Sequence, residues 1–147
     1  MGEGAVLGEG LRTNKETWIL IHVEVQGQRT EGDNSRLPDV SVVLLEEFES
    51  IPLNQSTIVQ APSLLLVEVV SPSTSSVDYD EKLPEYQVLG ILEYWIVDPS
   101  KRDQRVTIYT LDAETYQKQE FRGSQRVISA TFPELVLTAE QVLQGKL

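Results

Sequence analysis

The chain has 147 residues and a formal net charge of −11, enough length for one domain with its own core. It contains no cysteine, which excludes disulfides and thiolate metal sites and fits a reducing cytoplasm. No apolar stretch approaches the roughly 20 residues that cross a bilayer, and residues 1–10 lack the basic and apolar regions of a secretory signal. The expectation is a soluble cytoplasmic protein with no membrane partner. The acidity argues against a general nucleic-acid coat, since phosphate binding is driven by Lys and Arg, but not against a nuclease whose acids gather around a metal.

Residues 1–16, rich in Gly and Glu, are expected to form a flexible N-terminal segment ahead of a single domain over residues 17–147. Residues 17–26 alternate Ile19, Ile21, Val23 and Val25 on one face and predict a strand. The polar stretch 27–37 predicts a mobile hairpin connection, so that a second strand over residues 39–45 pairs with the first. Residues 46–61 read as a connection with a short helical turn.

The run Leu64-Leu65-Leu66-Val67-Glu68-Val69-Val70 lacks alternation and predicts a strand buried on both faces. A carboxylate inside it calls for a partner or a metal, because an unpaired buried charge costs several kcal/mol. Ser71-Pro72-Ser73-Thr74 is a turn, with Ser73 and Thr74 read as turn or helix-start residues rather than phosphate donors. A helix is predicted over residues 78–89, ending at Gly90. Pro84 fits if the regular helix begins near Lys82 or Leu83, in whose first turn a missing N–H matters little.

Glu93-Tyr94-Trp95-Ile96-Val97-Asp98 is the next strand, parallel to the one before the helix, with Tyr94 and Trp95 as packing residues. Residues 105–111, 115–121 and 126–130 read as an antiparallel meander, and Thr138-Ala139-Glu140-Gln141 as a capping box opening a short helix. The sum is an α/β domain with a mixed sheet. Two basic clusters, Lys101 with Arg102 and Arg105, and Arg122 with Arg126, read as solvated turns. His22 and Glu24 fall on the polar face of the first strand, and no second histidine exists to build a site.

Three residues suggest chemistry. Asp39 opens one strand, Glu68 lies inside another, and Lys82 follows on the helix. Two carboxylates suit Mg²⁺, which keeps its remaining positions for water and phosphate oxygens, and the carbonyl of Val69 would be a third oxygen. Lys82 would orient or deprotonate an attacking water. Lys82 reads as exposed, so alanine there should leave the fold intact.

The blocks Arg36-Leu37-Pro38-Asp39-Val40, residues 62–74, Asp78-Tyr79-Asp80-Glu81-Lys82 to Tyr86, and Gly90-Ile91-Leu92-Glu93-Tyr94-Trp95-Ile96-Val97-Asp98-Pro99 resemble a bacterial restriction-endonuclease family of the PD-(D/E)XK nuclease superfamily. Thr131-Phe132-Pro133-Glu134-Leu135 and residues 137–143 resemble its ending, so the likeness spans residues 17–147. It implies a restriction-endonuclease-like fold and a DNA-cleaving hydrolase using Mg²⁺ or Mn²⁺, with Asp39 and Glu68 as the metal acids. The superfamily's common lysine, two positions after the glutamate, is replaced by Val70 here. The resemblance implies that Lys82 supplies it and that Tyr86 positions that lysine from one turn further on. The family's N-terminal helical region is expected to have no counterpart in residues 1–16. DNA is the expected partner and a homodimer the assembly allowed for. The alternative is a catalytically silent nuclease-fold protein acting as an oligomeric binding or scaffold module; a blander one is an acidic domain in which Lys82 simply neutralises Glu68.

Overall fold

The computed structural model describes residues 5–6, 11–12, 18–23, 27–30, 35–36, 39–44, 58–59 and 62–145. Its strands are β1 (Ala5–Val6), β2 (Leu11–Arg12), β3 (Trp18–Val23), β4 (Gly27–Arg29), β5 (Ser35–Arg36), β6 (Val40–Leu44), β7 (Ile58–Val59), β8 (Leu65–Val69), β9 (Glu93–Asp98), β10 (Arg105–Asp112) and β11 (Thr115–Phe121). A π-helical turn, Val77–Glu81, leads into helix α1 (Lys82–Leu89), and α2 (Ala139–Gln144) follows the last strand. The main sheet runs β1-β3-β6-β8-β9-β10-β11, with β2 also on β3. Only β8 and β9 are parallel within it, joined through the π-turn and α1. This is the mixed sheet with helices of the expected α/β domain.

The predicted β3–β6 hairpin pairing is present, with Ile21 opposite Val42. Three expectations change. Residues 5–6 and 11–12, expected without regular structure, pair with β3, whose edge offers unpaired N–H and C=O groups. From the two stretches expected to be connections, 27–37 and 46–61, β4 pairs with β5 and with β7 to form a second, three-stranded sheet. Ser63 ties this sheet to β8 by donating its N–H and its hydroxyl to Gln28 Oε1. The third meander strand is absent: Arg126 bridges Thr138, and Val127 N–H donates to Leu137 O. Residues 126–130 alternate burial as a strand would, but their partner is the chain before α2, not β11. Residues 24–26, 45–57 and 60–61, with Glu24 and the 46–57 part of the predicted connection, lie outside the described residues.

The sheet is covered on both faces, which is why β8 and β9 read as continuous apolar runs. One core joins Leu65, Trp95, Val106 and Ile108 with Phe132 and Ala139 of the C-terminal segment. The other joins Leu66, Val70, Tyr94 and Ile96 with Tyr86 of α1. Burying each such side chain contributes about 1.5–3 kcal/mol. Glu68 lies on the second face, directed toward the π-turn and α1. Among the described residues no helix is long and apolar enough to cross a membrane.

Candidate metal and catalytic site

Glu68 is only 4% exposed, and its partners are supplied by the helical crossover. Lys82 Nζ stands 2.9 Å from Glu68 Oε2, and the Tyr86 hydroxyl donates to the same oxygen at 3.3 Å. Lys82 is shared. Its Nζ is also 2.8 Å from Oδ1 of Asp78, a residue 2% exposed. Asp78 is the site residue that sequence reasoning missed. In Asp78-Tyr79-Asp80-Glu81 it looks like one more solvated acid, and only its spacing of four from Lys82 hinted at a pair.

The helix geometry that presents Lys82 follows from Pro84. A continuous α-helix would ask Pro84 for an N–H to Asp80 and would drive its ring into that carbonyl. The chain instead makes a wide turn in which Lys82 N–H donates to Val77 O, and the α-helix starts afresh at Lys82 with Pro84 in its first turn. Tyr94 donates its hydroxyl to Asp78 O at 3.0 Å and fixes the turn to β9. Such π-turns occur frequently at functional sites. Two expectations are corrected here. Lys82 is largely buried between two carboxylates rather than exposed, and Tyr86 holds the glutamate rather than the lysine. Val70, at the superfamily's usual lysine position, is buried in the core.

Asp39 immediately precedes β6. Val40 is opposite Val67 in the antiparallel β6–β8 pair, so continuing the register by one sets Asp39 opposite Glu68. Directly opposed residues carry their Cβ atoms about 5 Å apart. The exposed Asp39 carboxylate accepts the Val69 N–H at 2.7 Å, replacing the backbone partner that β6 ceases to supply. Val69, expected to offer a carbonyl, thus uses its amide to orient the acid.

Burial pushes Glu68 up to about 7; Lys82 opposes this, while Asp78 and Asp39 add to it. Burial depresses the Lys82 ammonium, yet its contacts with Asp78 and Glu68 raise it on balance. Three carboxylates and one ammonium in this corner leave an excess of negative charge when ionised, which is what a divalent cation offsets. The donors are hard oxygens. No set of three His, Cys, Asp or Glu suited to a metal occurs among the described residues. The pair of hard carboxylates, Asp39 and Glu68, is of the kind that an ion such as Mg²⁺ takes while leaving its other positions to water and phosphate. It does not suit an all-protein cage.

The remaining candidates are placed as follows. Thr74 Oγ1 accepts the Ser71 N–H and Ser73 Oγ lies 3.0 Å from Ser71 Oγ, so both serve the turn. Arg105 is committed to Asp98, Asp103 and Glu120 and lies over the Tyr79 ring, and Arg122 is committed to Asp103 and Glu120. Arg126 donates to the carbonyls of Leu135 and Pro133. His22 pairs with Ser41 in the β3–β6 ladder. Trp95 and Tyr94 are buried as expected. Glu93, wholly buried, accepts from Trp95 Nε1 at 2.6 Å and from both Thr131 N and Thr131 Oγ1 at 2.8 Å, pinning the C-terminal segment to β9.

The mixed sheet with its few helices is a nuclease-like class of fold, and it carries an acid at the mouth of one central strand, an acid in the next and a helix-borne lysine. Residues 10–140 match the model of the Uma2 family, described as "Putative restriction endonuclease", and the chain belongs to that family. Its structure is similar to the crystal structure of "a putative nuclease belonging to DUF820" from Anabaena variabilis ATCC 29413. The TM-score is 0.66 at 22% identity, over 86% of this chain and 68% of that one, a likeness of fold. No curated protein matches the chain.

Proposed function

We propose that the chain is a metal-dependent endonuclease that hydrolyses phosphodiester bonds of DNA, with Asp39 and Glu68 holding Mg²⁺ or Mn²⁺ and Lys82 assisting the attack. The observation that supports it most is the convergence of these three residues from β6, β8 and α1, in a chain whose family is described as "Putative restriction endonuclease". The Val69 carbonyl is the third oxygen of this reading. A bound Mg²⁺ would supply an activated water and neutralise charge on the phosphate. Water oxygen bonds to phosphorus, the bond to the leaving oxygen breaks, and a proton passes to that oxygen.

Asp39, oriented by the Val69 amide, and Glu68, oriented by Tyr86, present their oxygens without having to reorganise. An ammonium held between two carboxylates acts as a donor, so Lys82 orients water and offsets phosphate charge rather than accepting the proton. The reading includes the cytoplasm as the compartment and a homodimer as the assembly, the latter testable by sedimentation.

A second reading has its own observation: the Lys82 contacts to Glu68 and Asp78 suffice to explain a buried acid, as in a silent nuclease-fold module that binds or scaffolds. Plasmid cleavage separates the two. The nuclease reading expects nicking or linearisation in Mg²⁺ or Mn²⁺, none in EDTA, and loss in Glu68→Gln and Asp39→Asn. Cleavage in EDTA, or undiminished cleavage by Glu68→Gln, would show that the assigned site is wrong. Absence of cleavage with any divalent metal would favour the silent module.

A further inference from the structure

The crossover from β8 and the turn after β9 enclose a pocket of about 380 Å³, lined by Val70, Ser71, Ser75, Asp98, Ser100 and Lys101 among others. It opens at the carboxyl ends of the two parallel strands, where open α/β sheets characteristically bind ligands. Val70 lies two residues beyond Glu68 on the same strand face, about 7 Å along an extended chain. DNA places its phosphates about 3.4 Å apart along the axis of each strand. A DNA strand with one phosphate at Glu68 and running toward the carboxyl end of β8 would carry another past this pocket within a few nucleotides.

The lining has the chemistry of an anion site. Among the cations whose side chains are described, Lys101 and Arg102 have no ion pair or hydrogen bond, and Lys101 is the one at the pocket. The hydroxyls of Ser75 and Ser100 have no partner among the described residues and are free to donate. The one carboxylate there, Asp98, is 7% exposed and its charge is spent inward. Its oxygens accept from Tyr79 Oη at 3.0 Å and Ser100 N at 3.1 Å, with Arg105 3.6 Å away.

We infer that this pocket is a subsite for a backbone phosphate of the DNA strand being cut, gripped by Lys101, Ser75 and Ser100 within a few nucleotides of the scissile bond. The inference rests on the nuclease reading above, yet binding tests it separately. The probe is a fluorescein-labelled DNA oligonucleotide followed by anisotropy in Ca²⁺ across a salt series, with wild type, Lys101→Gln, Arg102→Gln and Ser75→Leu. Lys101→Gln and Arg102→Gln change the net charge equally, but only the first alters the pocket.

Lys101→Gln is expected to bind about fivefold more weakly at low salt, with a slope of log K against log salt smaller by about one. Ser75→Leu, which fills the pocket at constant charge, should weaken binding similarly, and Arg102→Gln should stay near wild type. In cleavage, Lys101→Gln should raise KM and leave kcat unchanged, whereas Glu68→Gln should abolish cleavage and retain binding. Equal effects of Lys101→Gln and Arg102→Gln, a silent Ser75→Leu, or no binding by wild type would each overturn the subsite. The first two outcomes leave the nuclease reading standing. Lys101-dependent binding without cleavage in any metal would instead defeat the nuclease reading and keep the pocket only as a DNA-phosphate site.

Discussion

Replacing Lys82 by alanine removes the single cation between two carboxylates that are each almost wholly buried. Alanine is a good helix former, so helix propensity contributes no loss and the effect is electrostatic. Breaking a buried pair on one side costs about 3–5 kcal/mol, because the remaining charge is left unpaired. Glu68 can escape part of this by taking up a proton, and its pKa stands at about 7 even with the lysine present. Without the lysine it must stand higher still. The sign follows directly: a carboxyl with a raised folded-state pKa binds protons more tightly when folded. Its favourable contribution is present below the unfolded value near 4.5 and is lost as pH rises through the folded value. The metal-free wild type should therefore lose stability between pH 4.5 and about 7, and the variant should go on losing it above 7. We expect Lys82→Ala to cost about 3–5 kcal/mol at pH 8 and less at pH 5, where Glu68 takes up a proton. Urea unfolding at the two pH values, with Glu68→Gln and the double variant completing a cycle, measures this. A pH-independent cost, or one below about 1 kcal/mol at pH 8, would refute the shared-lysine account.

Tyr86→Phe removes a hydroxyl from Glu68 and keeps the edge-on ring contact with Tyr94, so a loss of about 1 kcal/mol by urea unfolding is expected. Glu93→Gln turns an amide N–H₂ toward donors from Trp95 or Thr131 and should cost about 2 kcal/mol, with thermal melting as the check. Gly90 caps α1 at φ 88° with nothing within 4 Å of an added Cβ. Gly90→Ala should then show the left-handed backbone cost alone, about 1–2 kcal/mol in the same assay.

Much of the site was legible because the sequence concentrates it in unusual places. Glu68 interrupts an apolar run, and that run is a strand covered on both faces, so a partner had to exist. Pro84 and Gly90 set the limits of α1 and so the position of Lys82. Asp78 was not legible, because its burial depends on a π-turn that no periodicity announces. The same turn brings Lys82 inward, where a regular helix start would leave it exposed. The second sheet was hidden by its polar composition: Gln28 is buried by its hydrogen bonds to Ser63, not by apolar character. Residues 126–130 have the alternation of a strand, but alternation specifies a buried face and not a partner, and the partner lies ten residues on.

The most direct test of the assigned site is anomalous diffraction from crystals of the full chain soaked in Mn²⁺. A single strong peak within about 2.3 Å of carboxylate oxygens of both Asp39 and Glu68, absent in Glu68→Gln crystals, is the predicted result. A Mn²⁺ peak elsewhere with none between these acids, in crystals of a protein that cleaves DNA in Mn²⁺, would contradict the account.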